Sequence, residues 1–265
     1  MRPKDNKELY SDTPEFDRWA FRTELDPDER CVLTRYLDPH GKTLEAGTAG
    51  GRVLLGLREL GFSNLQGYDY VVGFIEEARR RDTSGTIRFE VQDATGLDYA
   101  DESFDQLLYV QQMLSGFEDE PSRHAAFREA FRILRPGGTA IFSFLCYEVR
   151  LKSTVFALFI RYLGLLRWIC GVRRSRQMLP WMRIGNRFNP GALLDRGPYV
   201  HWFRVQEAAD SLQGVGFAFR AIGTSRQMMA GETHTSPETL LTEPLDGALY
   251  CVCTKRSPSP ELRSA

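Results

Sequence analysis

The stretch Thr43-Leu44-Glu45-Ala46-Gly47-Thr48-Ala49-Gly50-Gly51-Arg52 constrains the fold of this chain more than any other. A short apolar strand ends in an acid and enters a glycine-rich turn, and a helical pattern of Val53, Leu54, Leu57 and Leu60 follows. Small residues in such a turn let a nucleotide-like ligand approach the backbone, and the helix start offers free N–H groups. The dinucleotide pattern G-x-G-x-x-G does not fit, because Ala49 and Arg52 hold its second and third glycine positions. The turn fits E-x-G-x-G-x-G with the middle glycine replaced by alanine. That spacing disfavours NAD-linked oxidoreduction.

Four further strands are expected behind this turn. Asn64–Asp69 ends in a carboxylate 22 residues beyond Gly47, where an acid accepts hydrogen bonds from a ribose diol. Thr86–Ala94 carries Asp93 at its end, placed to accept from an exocyclic adenine amine. Ser103–Val110 is a fourth strand, and Leu134–Phe142 is a helix end, a Pro-Gly-Gly turn and a fifth. Each acid could equally cap a following helix. Three acids at successive strand ends are harder to assign to capping alone.

Taken together, EAGTAGGR (45–52), GYD (67–69), VQDA (91–94), SFDQLLYVQQML (103–114) and LRPGG (134–138) make the chain resemble the class I S-adenosylmethionine-dependent methyltransferases. The resemblance covers about residues 40–145, and more loosely 205–254. It implies an α/β, Rossmann-like, doubly wound fold: a seven-stranded, mostly parallel sheet with an antiparallel last strand. It also implies S-adenosyl-L-methionine as cofactor. Gly47, Ala49 and Gly51 would line its methionine and ribose part, with Glu45 at the head of the turn. Asp69 and the adjoining Tyr70 would hold the ribose, and Asp93 and Ala94 the adenine edge. Val110 and Gln111 would flank the sulfonium.

Domain boundaries follow from the same pattern. Residues 1–40 form an N-terminal helical segment, broken at Asp26-Pro27. Residues 41–145 and 205–254 form the cofactor-binding core, 146–204 a helical, substrate-binding cap insert, and 255–265 a disordered tail. The first twelve residues have no apolar core of the secretory kind. Five cysteines without a CxxC pair suggest reduced thiols in a cytoplasm, with Cys251 and Cys253 on one side of the last strand. No metal site is expected.

The insert gives the chain its individuality. Residues 154–172 are apolar on nearly all sides apart from Arg161 and Arg167, which suits a buried cap helix, with peripheral membrane contact as the alternative. From Val149 to Leu194 there are nine Lys or Arg and no Asp or Glu. Subtracting these from the net charge of −1 leaves −10 on the rest. This basic segment either solvates a helix or faces an anion: a phosphate-bearing substrate, a lipid headgroup or RNA. Trp181, Tyr199, His201 and Trp202 are candidates for the substrate wall, and equally for packing. Their arrangement loosely resembles the PW…YYHxF region of tRNA wobble-uridine methyltransferases. His201 is the candidate general base for an O or N acceptor. The expected activity is methyl transfer to a small or amphiphilic molecule. The rivals are a tRNA methyltransferase and a non-catalytic binding protein of the same fold.

Overall fold

The computed structural model describes residues 6–11 and 13–256. Seven strands form one sheet: β1 (Thr43–Ala46), β2 (Leu65–Asp69), β3 (Arg88–Val91), β4 (Phe104–Tyr109), β5 (Leu134–Phe144), β6 (Phe217–Thr224) and β7 (Leu249–Lys255). Their order is β6-β7-β5-β4-β1-β2-β3. Strands β1 to β5 pair in parallel, and β7 enters antiparallel between β5 and β6. This is the expected architecture.

Alternation along the strands divides the core in two. Leu107 and Tyr109 of β4, with Cys251 and Cys253 of β7, pack beneath α6 (Glu120–Ile133) and α9 (Val205–Gly214). Leu108 and Val110, with Tyr250 and Val252, pack beneath α3 (Pro27–Tyr36), α4 (Arg52–Glu59), α5 (Val72–Arg81) and α10 (Ser225–Ala230). Helix α3 starts where Asp26-Pro27 required a break, with Asp26 as its cap and Pro27 in its first turn. Inside the second layer Arg52 forms a buried two-pronged ion pair with Glu29, at 2.6 and 2.8 Å. That pair clamps α4 to the start of α3.

Two short helices precede α3: α1 (Asn6–Ser11) and α2 (Thr13–Ala20). The segment 146–204 holds α7 (Tyr147–Leu151) and α8 (Thr154–Ile169), and α11 (Pro237–Leu241) follows β6. The insert also contains two antiparallel strand pairs, Met178–Pro180 with Tyr199–His201 and Arg183–Ile184 with Arg187–Phe188, so it is not purely helical. The expected burial of its long helix is corrected too. In α8 only Ile160, Leu163 and Arg167 are buried, while Val155, Leu158, Leu165, Trp168 and Ile169 are exposed. Arg167 enters the interior because Asp195 meets it with both oxygens and two backbone carbonyls accept its other protons. Among the described residues no helix is long and apolar enough to cross a membrane. Of the expected tail, 257–265 lies outside the described residues, while Lys255 still belongs to β7.

Candidate active site

The turn after β1 is built on left-handed backbone. Gly47, Ala49 and Gly51 have φ of +64°, +46° and +78°. At Gly47 a side chain is excluded twice, by φ and by Met113, whose Cγ would lie 2.6 Å from an added Cβ. Ala49 takes the same kind of conformation without being glycine, at a steric cost of about 1–2 kcal/mol. Gln111 and Gln112, just past β4, are left-handed as well, at +56° and +54°. Such strain gathers at ligand sites.

Asp69 organises this end of the sheet. Its Oδ2 accepts from Ala49 N and its Oδ1 from Val71 N, both at 3.0 Å. Burial pushes its carboxyl up to about 6 against the pull of these N–H groups. Glu45 lies deeper. Thr48 Oγ1 donates to its Oε2 at 2.6 Å and Gln111 Nε2 to its Oε1 at 3.4 Å. Burial raises its carboxyl to about 8, so it is largely protonated at neutral pH.

A cavity of about 370 Å³ opens at the carboxyl ends of the strands. Its walls bring together Gly47, Ala49, Asp69, Tyr70, Asp93, Ala94 and Gln111. Asp93 also accepts from Thr95 N and Thr95 Oγ1 at 2.9 and 2.7 Å, shaping the turn that exposes it. Three of the expected cofactor residues do not line the cavity. Glu45 sits behind the turn. Gly51 instead permits helix–strand packing, since an added Cβ would meet Phe89 and Ala78 at 3.0 and 3.2 Å. Val110 is buried in the α3–α4 layer.

The other side of the cavity comes from residues that sequence reasoning missed. Asn6, Lys7 and Tyr10 of α1, Trp19 of α2 and Phe74 of α5 line it. Helix α2 presses on the glycine turn so closely that a Cβ at Gly50 would lie 1.9 Å from Ala20 O. Arg81 Nη1 ties both carbonyls together, at 2.8 Å to Ala20 O and 2.7 Å to Gly50 O. Phe16 stacks on Phe74 at 5.0 Å. The aromatic spacing of Tyr10, Phe16 and Trp19 was the available signal, but such spacing equally serves packing.

The insert buttresses this roof and contributes no residue to the cavity lining, which corrects the expected substrate wall. Trp181 meets Tyr10 edge to face at 5.9 Å, and Tyr199 O accepts from Asn6 Nδ2 at 3.2 Å. Trp202 stacks under Arg150. The candidate base His201 is buried, with Nε2 2.7 Å from Glu207 Oε1 and its ring edge-on to Phe203. Its position on the strand pair 178–180/199–201 makes it a structural link to α9.

The cavity suits a nucleoside-like ligand: a carboxylate, a glycine turn and aromatic walls enclose it. Asn6 Oδ1 is buried there with no hydrogen-bond partner, an acceptor left over for a ligand donor. Residues 44–142 match the family model described as Methyltransferase domain. Residues 44–142 are thus similar to a methyltransferase domain, within the fold of the class I S-adenosylmethionine-dependent methyltransferases. The chain is 32% identical over 142 residues to phosphoethanolamine N-methyltransferase 1 of Arabidopsis thaliana, covering 53% of this chain and 28% of that protein. It is 29% identical over 142 residues to the methyltransferase GfsG of Streptomyces halstedii, covering 49% of this chain and 50% of that protein. The matches thus span half or less of these curated relatives. A SAM-dependent methyltransferase from Methanosarcina mazei shares the methyltransferase fold, with a TM-score of 0.65 at 19% identity over 89% of this chain and 100% of that one.

Proposed function

We propose that this protein transfers a methyl group from S-adenosylmethionine to O or N of a small or amphiphilic molecule. The carrying observation is the single cavity in which Gly47, Ala49, Asp69, Tyr70, Asp93, Ala94 and Gln111 face the aromatic roof of α1 and α2. Asp69 would hold the ribose hydroxyls and Asp93 the adenine edge, with Gly47 and Ala49 against the ligand backbone. When bound, the cofactor supplies an electrophilic methyl on its sulfonium. The chain's task is then to align the acceptor and exclude water, which alone accounts for large accelerations. Tyr10, Trp19, Tyr70 and Phe74 supply the water-excluding wall. No histidine lines the cavity among the described residues, so alignment carries more of the reaction than a histidine base.

The phosphoethanolamine N-methyltransferase relatives favour a small polar amine as the first acceptor to try, and Lys7 on the cavity wall suits an acceptor bearing an anionic group. The nine cations between Val149 and Leu194 favour a second reading, RNA as substrate, which predicts binding that weakens steeply with salt. Calorimetric titration with S-adenosylhomocysteine, with NAD as control, tests the cofactor. Selective binding of the first supports the proposal, and failure to bind it overturns it.

A further inference from the structure

The outer face of α8 is apolar, and nothing among the described residues covers it. Val155, Leu158, Tyr162, Leu165 and Ile169 recur at alternating spacings of three and four, which places them on one helical stripe. Val155 is 74% exposed, Leu158 59%, Ile169 66% and the adjoining Trp168 80%. The buried residues Ile160, Leu163 and Arg167 hold the opposite face on the insert. A contiguous patch of this kind marks an interaction site rather than ordinary surface scatter.

The charge beside the stripe selects the occupant. A groove between α7 and α8 runs along it, with Arg161, Arg176 and Arg204 among its lining residues. Arg161, Arg173 and Arg176 form no ion pair among the described residues, whereas Arg167 and Arg174 are neutralised by Asp195. A second copy packed on this face about a two-fold axis would set unpaired cations against their own kind. RNA would satisfy the arginines but leave the aliphatic stripe in water. An anionic bilayer satisfies both, with apolar side chains below the headgroups and guanidinium groups at the phosphates. Trp168 and Tyr162 are the amphipathic aromatics favoured at that depth.

We propose that α8 and its arginine-lined groove dock the protein on an anionic phospholipid surface, lying in the interface without crossing it. This is independent of the methyl-transfer reading. The test is co-sedimentation of the full chain with vesicles of phosphatidylcholine alone and of phosphatidylcholine with phosphatidylglycerol, at low and physiological salt. Trp168→Glu and the pair Arg161→Glu/Arg176→Glu are compared. The proposal expects binding to the anionic vesicles, weakened by salt and reduced about tenfold or more by either variant. Unchanged melting temperature and unchanged S-adenosylhomocysteine binding in the variants would confirm that the surface alone was altered. Absence of sedimentation with anionic vesicles would overturn it. So would equal binding to both vesicle types, or a solution dimer lost in Trp168→Glu. Single-stranded RNA bound tightly and indifferently to Trp168→Glu, without vesicle binding, would assign the basic face to nucleic acid instead.

Discussion

Asp69 Oδ2 accepts a hydrogen bond from Ala49 N at 3.0 Å, so the acid at the end of β2 fixes the turn at the end of β1. One carboxylate therefore shapes the glycine turn and presents itself to the cavity. Asp69→Ala should weaken S-adenosylhomocysteine about tenfold or more. It should also cost about 1–3 kcal/mol in urea unfolding, because two N–H groups lose their acceptor. Unchanged affinity by calorimetry would remove Asp69 from the site.

Glu45 gives the protein a pH signature. Its folded pKa is raised to about 8, above the unfolded value, so folding retains a proton that the unfolded chain releases. This stabilisation is complete below the unfolded pKa and is lost as pH rises through about 8. Glu45→Gln removes that titration. Melting curves from pH 5 to 9 should therefore fall more steeply for the parent protein than for the variant; parallel curves would show that Glu45 is not buried neutral.

Arg167 and Asp195 should behave as one unit. Removing Asp195 strands the buried Arg167 guanidinium, at a cost of about 3–5 kcal/mol. Removing Arg167 should cost less, because Arg174 still pairs with Asp195. The double replacement Arg167→Met/Asp195→Asn, which suits the left-handed backbone at 195, should recover part of the loss. Urea unfolding of the four proteins in this cycle gives the coupling directly. Simple additivity would place the pair in solvent.

His201→Ala should leave methyl transfer within about threefold of the parent, since the ring meets Glu207 and Phe203 and not the cavity. Its effect should be on stability. A fall in kcat of about a hundredfold, with binding intact, would restore the general-base role.

Tyr10→Ala should weaken S-adenosylhomocysteine by about tenfold, because a buried aromatic wall and its contact with Trp181 are both lost. Titration of the variant decides whether α1 closes the site or merely packs beside it.

Most of the sheet was legible in the sequence. Strand periodicity, the turn 47–51 and the break at Asp26-Pro27 are local features, and each leaves a mark within a few residues. Gly47, Ala49, Asp69, Tyr70, Asp93, Ala94 and Gln111 follow from the family resemblance, and they line one cavity because the strand ends converge there. The resemblance also implies ligand contacts at Gly51 and Val110. Only three dimensions show that one packs against Phe89 and the other faces the core.

The sequence by itself determined the alternation of strands and helices, the glycine turn and the surplus of cations in the insert. Tertiary structure decided which segment roofs the cavity, that His201 turns towards Glu207, and which face of α8 stays bare. The physical reason is range. Asn6 reaches Gly116, Tyr10 reaches Trp181 and Arg167 reaches Asp195 through contacts between distant parts of the chain, and hydrophobicity does not say which apolar surface will meet which.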